Sequence, residues 1–149
     1  MKTHLLKSSL WLPAARDRVF SFFADPKNLQ QITPPWLHFT ILRSSTPQIA
    51  AGTLLDYKLR LRGVPIRWQS EITVWDPPLR FVDEQRKGPY RRWVHQHLLT
   101  EKEGGTQVED LVEYAVLGGS LVHRLLVRPD LERVFAYRSQ ALQTLFRPT

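Results

Sequence analysis

The stretch "GPYRRWVHQHLL", residues 88–99, separates into two sets of side chains when every second residue is taken. Successive residues of an extended strand point to opposite faces, so each set would occupy one face. One set comprises Arg91, Trp93, His95, His97 and Leu99. A face that carries a tryptophan and two histidines could contact solvent, a metal, a nucleic acid or a small molecule, and the neighbouring segments decide between these.

The chain around this stretch carries the same alternation. It begins at residue 53 and continues through residue 114, in the segments TLLDYKLRLRG, PIRWQSEITVW, LRFVDEQRK and TQVEDLVEYA. Such consecutive segments, separated by turn residues, predict antiparallel strands with one face on a core. The inward positions include Trp68 and Phe81, and we expect the histidines of residues 88–99 to share that inner face.

The flanking regions predict a first strand, a further extended segment at LHFTIL and three helices. Residues 4–12 indicate a first strand, AARDRVFSFFAD a short helix, and DPKNLQQI a second one with Asp25 as N-cap and Pro26 at its first position. Apolar residues recur every three or four positions in SLVHRLLVRPDLERVFAYRSQALQTLF, which predicts a long amphipathic helix. Pro129 is expected to divide it, since proline lacks an N–H and clashes with the preceding turn. The predicted class is α+β.

Turn positions test the inner face, because facing strands must bring inward residues opposite one another. Turns at residues 63–64 and 104–105, through WDPP and through GPY, are all consistent with a single inner face. The predicted pairs are Tyr57–Ser70, Ser70–Asp83, Asp83–His95 and His95–Tyr114, flanked by Trp68, Gln85, Trp93 and His97. A register shift of two residues would change neighbours and leave the face unchanged.

This inward row is polar, and an unpaired buried polar group costs a few kcal/mol. One interpretation is a space that holds water or ligand, walled by apolar residues with a few directed polar groups. The other is a hydrogen-bonded core network in which Asp83 orients His95, with Ser70 and tyrosine hydroxyls as further partners. The pattern alone leaves both open, with the cavity favoured.

Composition limits the class of protein. The 149 residues fit one domain, residues 1–149, with 42% hydrophobic and 23% charged residues. The chain has no cysteine, which excludes disulfides and thiolate chemistry. Neither a signal peptide nor a transmembrane segment is predicted, so a cytoplasmic protein is expected, and a homodimer is compatible with the sequence. The net charge of +7 is spread along the chain among Glu and Asp, as on an ordinary solvated surface.

The order of strand, two short helices, strand meander and long final helix resembles the START-like, helix-grip superfamily, in its bacterial SRPBCC branch. The resemblance covers nearly the whole chain and rests on PAARDRVFSFFADPKNLQQITPPW, GTLLDYKLRLRGVPIRWQSEI, PPLRFVDEQRKGPYRRWVHQH, GGTQVEDLVEY and RVFAYR. It implies a curved sheet of six to seven strands around the C-terminal helix, with a hydrophobic cavity between them. Members bind lipids, polyketides, hormones or other apolar molecules, and a minority catalyse cyclisation or dehydration.

Binding or transport of a small hydrophobic or amphipathic molecule is therefore the first hypothesis. A polyketide cyclase/dehydrase-like enzyme that uses an Asp–His pair as general base is the alternative. The candidate ligand-binding residues are Tyr57, Trp68, Ser70, Asp83, Gln85, Trp93, His95, His97, Tyr114, Phe135 and Arg138. No cofactor and no catalytic residue is assigned.

Two further functions are weaker. His95 and His97, with Asp83 as a third ligand, could hold a metal, but two histidines and one acid are a weak signature and no metal site is predicted. Nucleic-acid binding needs basic and aromatic residues on one exposed face. Here Arg60, Arg62 and Arg92 fall on the outer face and the tryptophans on the inner one, so no nucleic acid is expected.

Overall fold

The computed structural model describes residues 2–148 and consists of one antiparallel sheet and a long C-terminal helix. The strands are β1 (His4–Leu12), β2 (Thr40–Ser44), β3 (Leu54–Leu61), β4 (Val64–Asp76), β5 (Arg80–Lys87), β6 (Arg92–Lys102) and β7 (Gly105–Ala115). Their order in the sheet is β1-β7-β6-β5-β4-β3-β2. The curved sheet around a terminal helix, implied by the resemblance, is confirmed.

Short helices connect β1 to β2. The first, α1 (Arg16–Phe23), confirms the predicted short helix and buries Val19, Phe20 and Phe23. The second is a 3-10 helix (Pro26–Ile32) in which the Asp25 carboxylate accepts a hydrogen bond from the Lys27 backbone N–H at 3.0 Å. The prediction of Asp25 as the N-cap is therefore confirmed, and the helix is a 3-10 helix, which is wound more tightly than an α-helix. A three-residue 3-10 helix (Pro35–Leu37) follows.

The C-terminal helix comprises α2 (Gly119–Val122), a π-helical turn (His123–Val127) and α3 (Arg128–Leu145). Pro129 does not divide it, contrary to the prediction. The Arg128 N–H bonds to the His123 carbonyl five residues back. This wider turn lets the helix continue past a residue that has no N–H to donate.

Two predicted hairpin registers are wrong by two residues. The β3–β4 turn is Arg62-Gly63 and the β6–β7 turn is Glu103-Gly104, so glycine is the second turn residue in both. All four residues have positive φ, which is the two-residue hairpin turn whose twist suits antiparallel strands. As a result Tyr57 faces Trp68, His97 faces Asp110, and Tyr114 faces Trp93.

The β4–β5 pairing also differs from the prediction. A bulge between Ile72 and Val74 changes the alternation, so that Trp75 rather than Val74 packs inward beside Phe81. Ser70 consequently faces Gln85, and the single predicted row does not form. The β5–β6 pairing is confirmed, with Asp83 opposite His95 and Phe81 opposite His97.

Apolar clusters hold the helix at both of its ends. Phe20, Phe23 and Phe81 pack with Leu142 and Phe146 at the C-terminal end of α3. Near its start, Leu131 and Phe135 pack with Leu6, Val112 and Tyr114 of the sheet. Between these contacts the helix is held away from the sheet, and this separation creates the candidate site.

Candidate functional site

A cavity of about 670 Å³ lies between the inner face of the sheet and the C-terminal helix. Most of its wall is apolar: Phe23, Leu29, Ile32, Trp36, Leu37, Phe39, Ile49, Leu55, Tyr57, Leu59, Trp68, Ile72, Phe81, Tyr90, Trp93, Leu126, Leu131, Val134 and Phe135 contribute to it. Polar groups enter mainly from β4, β5, β6 and α3. The volume lies in the range of small-molecule sites.

Nine of the eleven predicted site residues line this cavity. They are Tyr57, Trp68, Ser70, Asp83, Trp93, His95, His97, Phe135 and Arg138. Gln85 and Tyr114 are not among its lining residues, so the prediction is wrong for these two. The Gln85 side chain bonds to the Tyr90 backbone N–H and carbonyl. Tyr114 lies opposite Trp93 instead of His95, and its hydroxyl oxygen is 2.7 Å from Nε2 of His123.

Four polar lining residues, Asp83, His95, His97 and Arg138, form a compact group with Asp110, which is buried behind them and does not line the cavity; we name these five residues the His–Asp–Arg cluster. The Nε2–H of His95 donates to Asp110 Oδ1 at 2.8 Å, and the Nε2–H of His97 donates to Asp83 Oδ2 at 2.7 Å. The two imidazoles stack with centroids 3.7 Å apart, and His97 stacks on Phe81 at 3.9 Å. Asp83 therefore orients His97, although the sequence analysis assigned it to His95.

Asp110 belongs to this cluster but is not one of the residues predicted from the sequence. Its position on the inner face followed from the alternation in TQVEDLVEYA. The wrong β6–β7 register placed it opposite Leu99, whereas the structure places it opposite His97. The sequence could have identified Asp110, because its carboxylate faces inward on the strand next to the one that carries the two inward histidines.

Arg138 closes the cluster from the helix side. Its Nη2 lies 3.3 Å from Asp110 Oδ1 and 3.4 Å from His97 Nδ1, and its guanidinium lies over the Phe23 ring at 5.2 Å. The side chain is buried, and its Nε has no hydrogen-bond partner among the described residues. A buried arginine of this kind offsets the charge of a buried carboxylate.

Opposing charges set the pKa values of the carboxylates. Burial alone would raise the pKa of Asp110, but the Arg138 guanidinium and the hydrogen bonds from both histidines hold it well below its usual range. Burial likewise acts to raise the pKa of Asp83, and the hydrogen bond from His97 with the neighbouring positive charges lowers it overall. Both carboxylates are therefore ionised near neutral pH.

The two histidines titrate in opposite directions. Burial lowers the pKa of His95, and the adjacent His97 charge lowers it further. Burial also acts against the charged form of His97, but its bonds to Asp110 and Asp83 raise its pKa overall. His97 therefore keeps its second ring proton to a higher pH than an ordinary histidine, whereas His95 loses its second proton at a lower pH.

This arrangement leaves one ring nitrogen free for a ligand. His95 Nε2 carries the hydrogen that Asp110 accepts, so Nδ1 of neutral His95 has a lone pair. The Nδ1 atom lies 3.9 Å from Asp83 Oδ2 and has no hydrogen bond within residues 2–148. A neutral imidazole fixed in this tautomer can accept a hydrogen bond or a proton from a molecule in the cavity.

The aromatic wall faces the other part of the cavity. Tyr57 and Trp68 stack with centroids 5.9 Å apart, and Trp93 meets Trp68 edge-on at 5.3 Å. The Ser70 hydroxyl lies 2.8 Å from the Tyr57 hydroxyl and accepts the Trp68 indole N–H at 2.9 Å. Burial raises the pKa of Tyr57, so its hydroxyl stays neutral. Ser70 thus holds Tyr57 and Trp68 in place through these hydrogen bonds and forms none with the His–Asp–Arg cluster.

The same cluster contains the three candidate metal ligands. Asp83, His95 and His97 each offer one ligand atom, and these atoms lie within 4.8 Å of one another. However, the two rings are nearly parallel, with an interplanar angle of 25°. Their lone pairs, which lie in the ring planes, therefore do not converge on one metal position. Because both Nε2 atoms already donate to carboxylates, the group fits a hydrogen-bonded network better than a metal site.

Comparison with known proteins gives a family and a fold. The family described as "Polyketide cyclase / dehydrase and lipid transport" matches residues 12–143. A search of curated protein sequences finds no match. No helix among residues 2–148 is both long and apolar enough to cross a membrane.

Solved structures agree over almost the full length. The Zhui aromatase/cyclase from Streptomyces sp. R1128 has 15% identity and a TM-score of 0.76, covering 97% of this chain and 93% of its own. Major latex-like protein 151 from Panax ginseng has 13% identity and a TM-score of 0.73, with 98% and 99% covered. Protein Ms6760 from Mycobacterium smegmatis has 17% identity and a TM-score of 0.70, with 97% and 96% covered. At these identities the similarity establishes the fold alone.

Proposed function

The chain belongs to the polyketide cyclase/dehydrase and lipid transport family, and from this premise we propose that it binds one small hydrophobic or amphipathic molecule between the sheet and the C-terminal helix. The observation that carries the proposal is the apolar cavity of about 670 Å³ with one polar cluster in its wall. A tightly packed core would leave few voids larger than a water molecule. A space of this size therefore serves a ligand better than it serves stability.

The chemistry of the wall defines the ligand. Trp68, Trp93 and Tyr57 offer aromatic surface for an apolar or planar body. Asp83 and the free Nδ1 of His95 offer two acceptors for one hydroxyl or similar donor. The ligand that fits is an apolar molecule with a hydrogen-bond donor at one end, oriented toward the His–Asp–Arg cluster.

Blocking the cavity tests the proposal. Val134 of α3 is half-buried and lines the cavity, and Ala136 of the same helix is exposed. Binding of a hydrophobic fluorescent probe such as 1-anilinonaphthalene-8-sulfonate, followed together with tryptophan fluorescence, should be lost in Val134→Trp and retained in Ala136→Trp. Equal binding by both variants would mean that the probe sits elsewhere and would refute the proposal.

A cyclase- or dehydrase-like reaction is the second candidate, favoured by the free Nδ1 of neutral His95. A base in this position could remove a proton from an acidic C–H of a bound β-dicarbonyl compound and leave an enolate, with His95 becoming an imidazolium beside Asp110. In D₂O, the reverse transfer would place deuterium on that carbon. Mass spectrometry should detect uptake faster than in buffer alone with the wild type and with His38→Gln, an exposed histidine outside the cavity, and uptake at the buffer rate with His95→Gln. Accelerated uptake that persists in His95→Gln at unchanged ligand affinity would exclude His95 as the base.

A further inference from the structure

Four leucines lie exposed in one short segment at the start of the C-terminal helix. Their exposed fractions are 57% for Leu117, 59% for Leu121, 58% for Leu125 and 41% for Leu126. We name this set the leucine surface. Residues three and four apart are neighbours on a helix, which places Leu121 beside Leu125. Several large apolar side chains exposed together usually mark an interaction site.

The leucine surface is continuous with the mouth of the cavity. Leu126 is exposed and also lines the cavity, as does Val122 in the same segment. Trp36, across from α3, is 43% exposed and lines the cavity too. An apolar molecule that leaves the cavity past Leu126 would therefore meet whatever covers these leucines.

Cations lie within and beside the leucine surface. Arg124 lies within it, and Lys2 and Arg91 line a small second cavity of about 230 Å³ together with Gly118, Gly119 and Ser120. Lys2, Arg91 and Arg124 form no salt bridge with any residue between positions 2 and 148. By contrast, the acids of this part of the helix are each paired, Asp130 with Arg62 and Glu132 with Arg128.

A stacked histidine pair lies beside the second cavity. The rings of His4 and His123 stack with centroids 3.5 Å apart. Burial and the nearby Lys2 and Arg128 charges lower the pKa of His4. Burial, His4 and the same two cations lower the pKa of His123. Both imidazoles therefore carry less positive charge than ordinary histidines at the same pH, and Lys2, Arg91 and Arg124, which have no salt-bridge partner in the described part of the chain, are the cations available to an anion.

We propose that the leucine surface and the cations within and beside it dock on an anionic phospholipid bilayer. The leucines would enter the acyl boundary, and Lys2, Arg91 and Arg124 would contact lipid phosphates, with the second cavity able to receive one of them. A second copy of this chain is the less favourable occupant, because it would bring unpaired cations against unpaired cations in a protein of net charge +7. The docked orientation places the cavity mouth at the bilayer, so this surface would supply or receive the ligand of the proposed function.

Vesicle co-sedimentation tests the docking. The wild type should bind sucrose-loaded vesicles of equimolar phosphatidylglycerol and phosphatidylcholine, and should bind phosphatidylcholine vesicles at least tenfold more weakly. Two charge reversals, Lys2→Glu with Arg91→Glu, should weaken binding to anionic vesicles about tenfold or more. The pair Leu121→Ser with Leu125→Ser should have a similar effect through lost apolar contact. All four positions are exposed, so the fold should be retained, as circular dichroism can verify.

Matched controls lie away from the surface. Leu79 is 44% exposed in the β4–β5 turn, and Lys27 is exposed in the 3-10 helix that follows α1. Leu79→Ser and Lys27→Glu should bind vesicles like the wild type. Equal binding to neutral and anionic vesicles, or wild-type binding by both double variants, would overturn the proposal. So would a dimer that the leucine variants dissociate in a protein that binds no vesicles.

The cavity variant separates this proposal from the proposed function. Val134→Trp should lose the hydrophobic probe and keep binding to anionic vesicles. A protein that binds the probe and ignores vesicles supports the proposed function alone, and a protein that binds vesicles without the probe supports the docking alone.

Discussion

At the scale of single residues, the Asp110 carboxylate determines the charge balance of the His–Asp–Arg cluster. Its carboxylate accepts from His95 and lies beside Arg138, so it joins the sheet to the helix through charge. Removal of one partner from a buried ion pair leaves an uncompensated charge and is strongly destabilising. The same removal at an exposed pair has little effect, because water replaces the lost partner.

Asp110→Asn should therefore lower the free energy of unfolding by about 3–5 kcal/mol, since Arg138 would stay buried without its counter-charge. Glu113→Gln on the same strand is the control. Its carboxylate pairs with Arg92 at an exposed site, where 46% of the Glu113 side chain is accessible, and its loss should cost less than about 1 kcal/mol. Urea unfolding measures both values, and comparable losses in the two variants would contradict the charge-balance argument.

His97 should make stability depend on pH. Its pKa is raised in the folded state because Asp83 and Asp110 hold its proton, from an unfolded value near 6.5. The folded protein then binds this proton more tightly than the unfolded chain. The resulting stabilisation is fully present below pH 6.5 and is lost as pH rises through the raised pKa.

His97→Gln removes this dependence and provides the comparison. The stability difference between wild type and variant should shrink as pH rises above about 6.5. Urea unfolding over a pH series measures the difference, and a difference that is constant or that grows with pH would contradict the raised pKa. The effect of His95 has the opposite sign, because its lowered pKa makes stability fall as pH decreases below the same value.

At the scale of elements, the hairpin turns explain where the sequence was informative and where it was not. Period-two alternation specified which face of each strand is inward, because a strand with one buried face allows no one-residue slip. It does not distinguish registers two residues apart. That choice depended on recognising Arg62 and Glu103, neither a glycine, as first residues of turns with positive φ. The β4 bulge has no such signal in the sequence, since it follows from the packing of Trp75 against Phe20 and Phe81.

The β6–β7 turn also offers a stabilising substitution. Glu103 has φ of +50° and forms no salt bridge with any residue between positions 2 and 148, and Gly104 follows it. Asparagine tolerates this conformation far better than glutamate, and Asn-Gly is the preferred pair for such a turn. Glu103→Asn should raise the free energy of unfolding by about 0.5–1 kcal/mol. Lys102→Asn, one residue earlier in β6, should give no gain, because asparagine is unfavourable in strands; a gain of the same size there would refute the turn argument.

At the scale of the whole molecule, the cavity results from the way the helix is fixed. Apolar clusters at both ends of the C-terminal helix position it, and the Arg62–Asp130 pair adds a contact from the β3–β4 turn. The sequence predicted the helix, the inward polar face and nine of the lining residues, because these depend on periodicity. It did not predict the cavity volume, since the separation of helix and sheet depends on side-chain packing at those clusters. The cytoplasmic location and the homodimer stay predictions.

A molecule built around such a space should be stabilised by a ligand that fills it, because binding to the folded state alone adds RT ln(1 + [L]/Kd), about 2.7 kcal/mol at one hundred times Kd. Naphthalene and 2-naphthol form a matched pair that differs by one hydroxyl, which can donate to His95 Nδ1 or to Asp83. Both should raise the thermal midpoint of the wild type, with the larger shift for 2-naphthol at equal concentration. The difference between them should shrink in His95→Phe, which keeps an aromatic ring and removes one of the two acceptors, and both shifts should vanish in Val134→Trp. Equal shifts for the two compounds in the wild type would mean that the apolar wall binds without orientation, and the His–Asp–Arg cluster would then be a structural network that happens to line the cavity.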